Sequence, residues 1–365
     1  MKAVILAGGE GTRLRPLTNN RPKPMVPILN RPFLEHVIEY LKRHGITDII
    51  IAMCYLPHHI QDHFGDGSAY GVRLTYVVED SPLGTAGAVK NVERYLGETF
   101  FVFNGDIFTD LDLTEMLELH QRRQAKVTIA LTPVDNPTMY GVVETDADSR
   151  VQRFVEKPHP EAVATNMVNA GTYIISPQAL DTIPPASYCM FERDVFPRLV
   201  ESGEPVYGHP SDAYWIDIGT PEKYLKLHHD LLRQKMVMAC YTEEMHIEEG
   251  CRIHPRAKVK GPVFIGRDCV IGPGAVVSGP SVIGHNCHIG TETTIDGAIV
   301  WKNSHLGHGV SVRRCVIAEN VRLGDRSQIM EGSVLGDNVV VQQDETVERD
   351  TRRSMTISSP LRMNT

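Results

Sequence analysis

Several features that mark other classes of protein are missing from this 365-residue sequence. No apolar run approaches the roughly 20 residues that a membrane-spanning helix needs, so we expect no membrane segment. The seven cysteines are scattered and form no Cys-X-X-Cys pair, which predicts reduced thiols and a cytoplasmic location. The N-terminus leads directly into an apolar strand pattern, so we expect no signal peptide.

Basic residues are also fewer than acidic residues. The chain has 37 Lys and Arg residues against 45 Asp and Glu residues, a formal net charge of −8. This balance excludes a general surface for nucleic acid or for anionic membranes. Any anion site must therefore be a local cluster of cations. The length and the ordinary apolar and charged fractions favour a globular protein of two domains.

One such cluster follows the first apolar run. Residues 2–7 read KAVILA, and residues 8–18 read GGEGTRLRPLT. Glycines turn tightly and bring backbone N–H groups close to a ligand, so this loop can hold phosphate oxygens. Arg13 adds a guanidinium that suits phosphate geometry, and Lys23 adds a cation between two prolines. The glycine spacing fits neither the Walker A loop nor the GxGxxG dinucleotide motif.

The first part of the chain alternates between strand and helix patterns. Apolar runs predict strands over residues 3–6, 48–52, 74–78, 99–103 and 126–131. Helical patterns separate them, and shorter strands that are partly antiparallel follow up to residue 176. This order predicts a Rossmann-like α/β domain with a mixed, mostly parallel sheet. Ligands of such folds bind beyond the carboxyl ends of the strands, where the glycine-rich loop lies.

A carboxylate stands where one of these apolar runs ends. Residues 100–106 read FFVFNGD, so Asp106 follows a strand pattern directly. Packing explains this poorly, because a lone buried carboxylate is costly. A magnesium ion explains it well, since Mg²⁺ takes oxygen ligands and bridges carboxylates to phosphates. A turn or a helix cap is the alternative for Asp106. We expect His228 and His229 to lie on a helix surface and to bind no metal.

The period of the sequence changes at Ile253. Apolar residues then recur every six positions, with two one-residue slips. The sixteen positions are Ile253, Val259, Ile265, Ile271, Val277, Ile283, Ile289, Ile295, Val300, Leu306, Val312, Ile317, Leu323, Ile329, Leu335 and Val341. This hexapeptide repeat predicts a parallel β-helix of about five coils. We expect this domain to pack on the first one and to drive homo-oligomerisation, because solenoids expose faces that need partners.

The loop over residues 8–18 and the later RPKPM element resemble those of the sugar-1-phosphate nucleotidyltransferases. The resemblance covers nearly the whole chain. It implies a catalytic domain over residues 1–235, a junction over 236–250, a left-handed β-helix over 251–345 and a tail over 346–365. It also implies that the loop binds a nucleoside triphosphate through Gly8, Gly9, Gly11, Thr12 and Arg13.

The same resemblance implies roles for residues outside the loop. The implied catalytic residues are Arg13, Lys23, Asp106 and Asp217. Asp106 and Asp217 would be the two ligands of Mg²⁺, and Glu79 and Gly84 would lie in the turn that grips the nucleobase. The implied sugar-phosphate site consists of Gly141, Glu156, Lys157 and Asn169.

The residue type at position 79 indicates which nucleobase the chain uses. Thymidylyltransferases of this family have glutamine there, whose amide both donates and accepts. An ionised glutamate only accepts, which suits the adjacent N1–H and N2–H₂ donors of guanine. Residues 82–87, PLGTAG, also resemble the mannose-1-phosphate guanylyltransferases. We therefore expect GTP and mannose 1-phosphate as substrates, although a solvated loop carboxylate is the alternative for Glu79.

Two other functions remain open at this point. The chain could be a thymidylyl-, uridylyl- or adenylyltransferase that acts on another sugar 1-phosphate. It could also be a regulatory paralogue that binds nucleotide sugars without making them. Such a paralogue would be expected to lose the loop cations or the metal carboxylates. All of them are present here, which favours an enzyme, but the sequence does not fix the sugar epimer.

Overall fold

The computed structural model describes residues 1–234 and 244–355. Parts of the predicted junction and tail lie outside these ranges, and so does Cys240. The chain forms two compact units. The first unit contains Met1–Glu10, Pro22–Met25 and Phe33–Asp217, and the second contains Gly11–Arg21, Val26–Pro32 and the chain from Ile218 onward. Two early segments thus group with the C-terminal part of the chain, which the predicted domain limits do not anticipate.

The first unit is built on a nine-stranded mixed sheet and a two-stranded ribbon. Its strands are Lys2–Ala7 (β1), Asp48–Met53 (β2), Arg73–Val78 (β3), Phe100–Asn104 (β4), Ile107–Thr109 (β5), Val127–Pro133 (β6), Gly141–Thr145 (β7), Val151–Glu156 (β8), Met167–Ile175 (β9), Val206–Pro210 (β10) and Trp215–Asp217 (β11). Its helices are Phe33–Arg43 (α1), His58–Phe64 (α2), Gly84–Asn91 (α3), Leu113–Arg122 (α4) and Phe196–Glu201 (α5).

The order of strands in the large sheet is β8-β7-β9-β4-β1-β2-β3, and β6 pairs with β9 and β10. Strands β4, β1, β2 and β3 are parallel, whereas β9 runs antiparallel to β4, β6 and β7. Strand β1 is central and reads as a continuous apolar run because both of its faces are covered. The predicted α/β fold with a mixed sheet is confirmed.

Packing along β1 and β4 brings their carboxyl ends together. Val4 and Ile5 of β1 and Phe100 and Val102 of β4 are completely buried. Residues Lys2–Leu6 pair in register with Phe100–Asn104. The chain that follows β1 and the chain that follows β4 therefore leave the sheet at the same edge, which is where ligands bind in parallel α/β sheets.

The second unit is dominated by a parallel β-helix with three sheets of seven, six and six strands. The first sheet contains Met245–Ile247, Val263–Ile265, Ser281–Ile283, Ile299–Val300, Val316–Ile317, Val334–Leu335 and Arg352–Arg353. The second contains Arg252–Ile253, Val270–Ile271, His288–Ile289, His305–Leu306, Arg322–Leu323 and Val340–Val341. The third contains Lys258–Lys260, Val276–Ser278, Thr294–Asp296, Ser311–Arg313, Gln328–Ile329 and Thr346–Val347.

Every predicted apolar position of the repeat lies on one of these strands. Fourteen of the sixteen are buried, and only Ile253 and Val259 in the first coil are partly exposed. The predicted slip is visible in the pairing, because Ile265 pairs with Ile283 eighteen residues on, whereas Ile283 pairs with Val300 after seventeen. The structure has six coils rather than about five, since one strand precedes the apolar series and two follow it.

Helix Pro221–Leu232 (α6) belongs to the second unit. Thr220 caps its N-terminus by accepting a hydrogen bond from the Lys223 N–H. The expectation that His228 and His229 lie on its surface is wrong, because they are only 1% and 8% exposed. His229 Nε2 lies 2.9 Å from the carbonyl oxygen of Gly297 in the β-helix. The helix thus packs on the solenoid through a face that its sequence pattern alone does not reveal.

Two further expectations concern what the chain lacks. None of the helices among residues 1–234 and 244–355 is long and apolar enough to cross a membrane. The six cysteines within these ranges are all free thiols. Cys269 and Cys287 lie inside the β-helix, where they donate to the carbonyl oxygens of Gly284 and Trp301.

Candidate functional site

The site of the first unit begins where β1 and β4 leave the sheet. The Gly105 N–H donates to the carbonyl oxygen of Leu6 at 2.9 Å. A Cβ atom at Gly105 would lie only 2.3 Å from that oxygen, so no larger residue fits without moving the backbone. Gly105 therefore holds the next residue, Asp106, directly beside the end of β1, where the glycine-rich loop starts.

The predicted nucleobase turn lies beside the same loop. A Cβ atom at Gly8 would lie 3.9 Å from Glu79 Oε2, which brings these two predicted residues together. Glu79 is only 7% exposed, and its Oε2 accepts a hydrogen bond of 3.0 Å from the Leu83 N–H. Burial raises the pKa of the Glu79 carboxyl above its usual value. The alternative of a solvated carboxylate is thus wrong, but Glu79 has a structural role as well.

Gly84 follows in this turn with a positive φ of 74°. A Cβ atom there would lie 2.5 Å from the carbonyl oxygen of Cys189. That oxygen also accepts hydrogen bonds from the Ala86 and Gly87 N–H groups. Gly84 is therefore required for the close packing of the helix start against residues 187–191, and its predicted contact with a nucleotide stays a prediction.

The predicted metal carboxylates are placed by two different contacts. Asp106 Oδ2 accepts a hydrogen bond of 2.8 Å from Lys23 Nζ, whose side chain is only 11% exposed. Strand β11 pairs with β5 so that Asp217 lies opposite Ile107, the residue after Asp106. Asp217 is 8% exposed, and its Oδ2 accepts a hydrogen bond of 3.0 Å from the Tyr140 hydroxyl. The structure thus brings both aspartates to one end of the same ribbon.

Two carboxylates are the kind of donor set to which Mg²⁺ binds together with a substrate, rather than a metal site made entirely of protein ligands. Among the described residues no cluster of three or more His, Cys, Asp or Glu side chains could hold a metal ion. Mg²⁺ commonly binds through one or two carboxylates and substrate phosphates, and keeps several waters. The two carboxylates at the end of the ribbon match that requirement, and Lys23 shows that a cation is already stabilised beside Asp106.

The predicted sugar-phosphate residues lie on neighbouring strands. Gly141 pairs with Glu156 across β7 and β8, and a Cβ atom at Gly141 would lie 2.9 Å from Glu156 Oε2. Lys157 follows with a positive φ of 48° and an exposed side chain, and its N–H donates to the Tyr140 carbonyl oxygen. The structure therefore brings Gly141, Glu156 and Lys157 together, and the exposed Lys157 ammonium lies 3.8 Å from Glu156 Oε1.

Asn169 enters a buried network that the sequence does not reveal. Its amide donates to the Tyr173 hydroxyl at 2.8 Å, and its Oδ1 accepts from the Gly171 N–H. Tyr173 donates to Glu192 Oε1 at 3.2 Å, and the Thr85 hydroxyl donates to Glu192 Oε2 at 2.8 Å. Burial, together with the charge of Glu192, raises the pKa of Glu156. Glu192 thus links the predicted nucleobase turn to the strand that carries Asn169 and Tyr173.

The remaining predicted residues belong to the second unit. Gly11 has a positive φ of 64°, and its carbonyl oxygen accepts a hydrogen bond of 2.9 Å from the Thr18 hydroxyl. Thr12 and Arg13 lie in a short 3-10 turn, Thr12–Leu14, and both residues are exposed. The Arg13 carbonyl oxygen accepts a hydrogen bond of 3.0 Å from Arg352 Nη1. The exposed guanidinium of Arg13 is thus presented on a fixed backbone.

Carboxylates beside a lysine, at the carboxyl edge of a parallel sheet, are typical of α/β proteins that bind phosphate groups together with a divalent metal ion. The comparisons make this class more specific. Residues 2–234 match the family model of nucleotidyl transferases, and the chain belongs to this family. Residues 242–347 match the model of the EIF2B subunit epsilon LbH domain, so the solenoid is a left-handed β-helix. The predicted membership of the sugar-1-phosphate nucleotidyltransferases is confirmed.

Two curated relatives cover most of the chain. The mannose-1-phosphate guanyltransferase of Candida albicans is 39% identical over 355 residues, which are 94% of this chain and 93% of that protein. The UTP–glucose-1-phosphate uridylyltransferase of Synechocystis is 34% identical over 336 residues, 85% of each chain.

A solved structure resembles the catalytic part. The crystal structure of HddC from Yersinia pseudotuberculosis complexed with GMP-PN superposes with a TM-score of 0.54 at 35% sequence identity. The superposition covers 62% of this chain and 97% of that one.

Proposed function

We propose that this protein transfers a guanylyl group from GTP to mannose 1-phosphate. The products are GDP-mannose and pyrophosphate. An oxygen of the sugar phosphate forms a bond to the α-phosphorus, and the bond from that phosphorus to the oxygen bridging to the β-phosphate breaks. The observation that carries the proposal is Asp106, held by Lys23 at the edge where the glycine-rich loop begins. The name of the Candida albicans relative supports the choice of substrates.

The chemistry requires positioning and charge neutralisation rather than a base. A phosphate monoester with a second pKa of about 6 is largely ionised at neutral pH. The nucleophile is therefore ready, and no histidine needs to abstract a proton. Lys157, exposed beside Glu156, is placed to bind the sugar phosphate and to reduce its repulsion from the triphosphate. Lys23 and Arg13 then stabilise the charge that develops on the leaving pyrophosphate.

The two aspartates complete this arrangement. Asp106 and Asp217 would hold Mg²⁺, which when bound neutralises phosphate charge and aligns the reacting groups. The Tyr140 hydroxyl orients the Asp217 carboxylate, and Lys23 orients that of Asp106. Gly105 fixes the backbone of Asp106 against β1. Catalysis by this chain thus depends on carboxylates whose positions are set by neighbouring groups.

Glu79 is the residue on which we base the choice of guanine. Oε2 accepts from the Leu83 N–H, whereas within the described ranges no hydrogen bond reaches Oε1. A carboxylate oxygen has two lone pairs, so both oxygens retain capacity for the N1–H and N2–H₂ donors of guanine. The HddC protein, which is 35% identical to this chain, crystallised as a complex with GMP-PN, and this also supports a guanine nucleotide.

Glu79→Gln is expected to lower kcat/KM for GTP about 10- to 100-fold and to improve the relative use of dTTP and UTP. Hydrogen bonds to a charged group contribute about 1.5–3 kcal/mol, which corresponds to that range. Because burial raises the pKa of Glu79, use of GTP should also weaken on acidification, as the carboxylate gains a proton and loses its acceptor character. The pH profile of kcat/KM in wild type and variant measures both effects.

Asp80→Asn is the matched control, since Asp80 is the next residue and is exposed. It should change neither nucleotide preference nor pH profile. Equal use of GTP and dTTP by the wild type would remove the argument for guanine.

A second candidate function is uridylyl transfer to glucose 1-phosphate, favoured by the name of the Synechocystis relative. A panel of the four common ribonucleoside triphosphates and dTTP against mannose, glucose and galactose 1-phosphates decides between them. Pyrophosphate release with GTP and mannose 1-phosphate at the highest kcat/KM supports the proposal. The highest value with UTP and glucose 1-phosphate would replace it by the second candidate.

We further propose that the protein is a cytoplasmic homo-oligomer that assembles through the β-helix. Exposed apolar side chains on the solenoid support this: Met245, Ile247, Val340 and Met355 are 40–57% exposed. Light scattering of the full chain should give a multiple of 40.7 kDa. Replacing Val340 with lysine should reduce that mass if the second sheet carries the interface. A monomeric wild type would contradict the proposal.

A further inference from the structure

The β-helix has no part in the chemistry proposed above, yet it is joined to the glycine-rich loop inside the second unit. We use the name signature arm for residues 11–21, which contain Thr12 and Arg13. The arm ends at Arg21, whose side chain is only 15% exposed. Arg21 is eight residues after Arg13 and two before Lys23 in the sequence. Its surroundings therefore bear on both cations of the proposed nucleotide site.

Arg21 is held by three groups of the β-helix. Its Nη1 lies 2.6 Å from Glu319 Oε1, and its Nη2 lies 2.9 Å from Asp337 Oδ2. Its guanidinium carbon lies 4.8 Å from the ring centroid of Trp301. The two carboxylate side chains are 17% and 7% exposed, so the pairs are largely removed from water. A guanidinium fork shared by two carboxylates over an indole ring is a directional contact that a lysine does not reproduce.

Other contacts hold the arm along its length. Arg352 Nη1 donates to the Arg13 carbonyl oxygen at 3.0 Å, Asn20 Nδ2 donates to Asp337 Oδ2 at 3.1 Å, and Asn19 Nδ2 donates to Ser354 Oγ at 3.1 Å. Pro16 lies against Gly336, because a Cβ atom there would come within 2.9 Å of the proline ring. The β-helix thus contacts the arm near its start, in its middle and at its end.

The segment that follows the arm in this unit is anchored as well. A short hairpin pairs Pro27–Ile28 with Arg31–Pro32. The Pro27 carbonyl oxygen accepts a hydrogen bond from the Tyr224 hydroxyl, which itself accepts from Trp301 Nε1 at 2.9 Å. Trp301 therefore connects the Arg21 cluster to this hairpin. Both chain segments that flank Lys23 in sequence are thus connected to Trp301, the arm through Arg21 and the hairpin through Tyr224.

We propose that Arg21 is a positioning residue through which Glu319 and Asp337 of the β-helix fix the signature arm, so that the C-terminal domain sets the affinity for the nucleoside triphosphate. This inference rests on the proposed function of the arm as the triphosphate-binding loop. Arg21 itself touches no substrate in this proposal. A displacement of about 1 Å in a binding group can cost up to about 10²-fold in rate, so small shifts of the arm suffice for a measurable effect.

The test uses the full chain with three variants. Arg21→Lys keeps the charge but loses the fork, and Asp337→Asn removes one of its two carboxylates. Asp344→Asn is the matched control, because Asp344 also pairs with an arginine of the β-helix, Arg326 at 2.7 Å, but in an exposed pair that does not contact the arm. Each variant is measured for KM of the triphosphate, KM of the sugar 1-phosphate, kcat and thermal midpoint.

Arg21→Lys and Asp337→Asn are each expected to raise KM for the triphosphate about 10-fold while KM for the sugar 1-phosphate changes less than about twofold. Asp344→Asn should leave both values close to those of wild type. Two results would overturn the proposal. One is an unchanged KM for the triphosphate in both arm variants. The other is an equal rise in both KM values that follows the fall in thermal midpoint, since that indicates a general structural defect.

A second measurement separates this inference from the proposed function. Amide hydrogen exchange of the peptide over residues 11–21 needs no substrate. It should be faster in Arg21→Lys and Asp337→Asn than in wild type, and unchanged in Asp344→Asn. If the wild type turns over no triphosphate but the arm exchanges faster in both variants, the proposed function fails and the anchoring stands. If exchange of the arm is the same in all four proteins, the anchoring is wrong whatever the activity.

Discussion

Asp106→Asn is expected to lower kcat by about 10²-fold or more, the range found when one preorganised electrostatic contact of an active site is lost. The substitution removes the negative charge that would hold Mg²⁺. It also leaves Lys23, whose side chain is only 11% exposed, without the carboxylate that it contacts at 2.8 Å. Steady-state pyrophosphate release at saturating substrates measures the effect on kcat directly.

Asp112→Asn is a suitable control for this variant. Asp112 lies six residues further along, and its Oδ1 caps helix α4 by accepting from the Thr114 and Glu115 N–H groups. Asparagine caps helices as well as aspartate does, so this control should keep the fold and the turnover. Near-native kcat in Asp106→Asn would remove this aspartate from the catalytic set.

Arg13→Ala is expected to lower kcat/KM by about 10²-fold or more, because the guanidinium is proposed to stabilise charge on the triphosphate as the pyrophosphate leaves. Its side chain is exposed, so the loss should not affect packing. Arg13→Lys should recover only part of the activity, since an ammonium keeps the charge but lacks the two-pronged geometry. The measurement is kcat/KM for the triphosphate at fixed sugar 1-phosphate.

Arg322→Ala serves as the control for charge, since Arg322 is an exposed arginine on the β-helix. It should remain close to wild type. Equal losses in Arg322→Ala and Arg13→Ala would mean that net charge matters rather than the position of Arg13. Full activity in Arg13→Ala would contradict its role.

The sequence predicts well those features that depend on local periodicity. The six-residue repeat places Ile265, Ile283 and Val300 on paired strands because each coil buries the same face of the chain. The apolar runs before Gly8 and Asp106 predict β1 and β4, because strands that are covered on both faces have continuous apolar sequences. The close packing of Gly105 against Leu6 is seen only in the structure.

The features that the sequence does not predict depend on residues far apart in the chain. The pairing of Arg21 with Glu319 joins residues 298 positions apart, and no local pattern encodes it. The hydrogen bond of Glu192 with Thr85 likewise joins residues that are far apart in the sequence, and Glu192 also bonds to Tyr173. His228 and His229 are buried because a solenoid covers α6, whereas the helix pattern by itself suggests exposure. Only the resemblance to a family could point to Asp217.

The most direct test is a calorimetric titration of the full chain with GTP, in Mg²⁺ and in EDTA, for wild type and for Asp106→Asn/Asp217→Asn. We expect wild-type affinity to fall at least tenfold when the metal is removed, and the double variant to bind equally weakly under both conditions. Two results would contradict the assignment of these two aspartates and of the glycine-rich loop. One is a wild-type affinity that does not depend on the metal, and the other is a wild type that binds no nucleoside triphosphate.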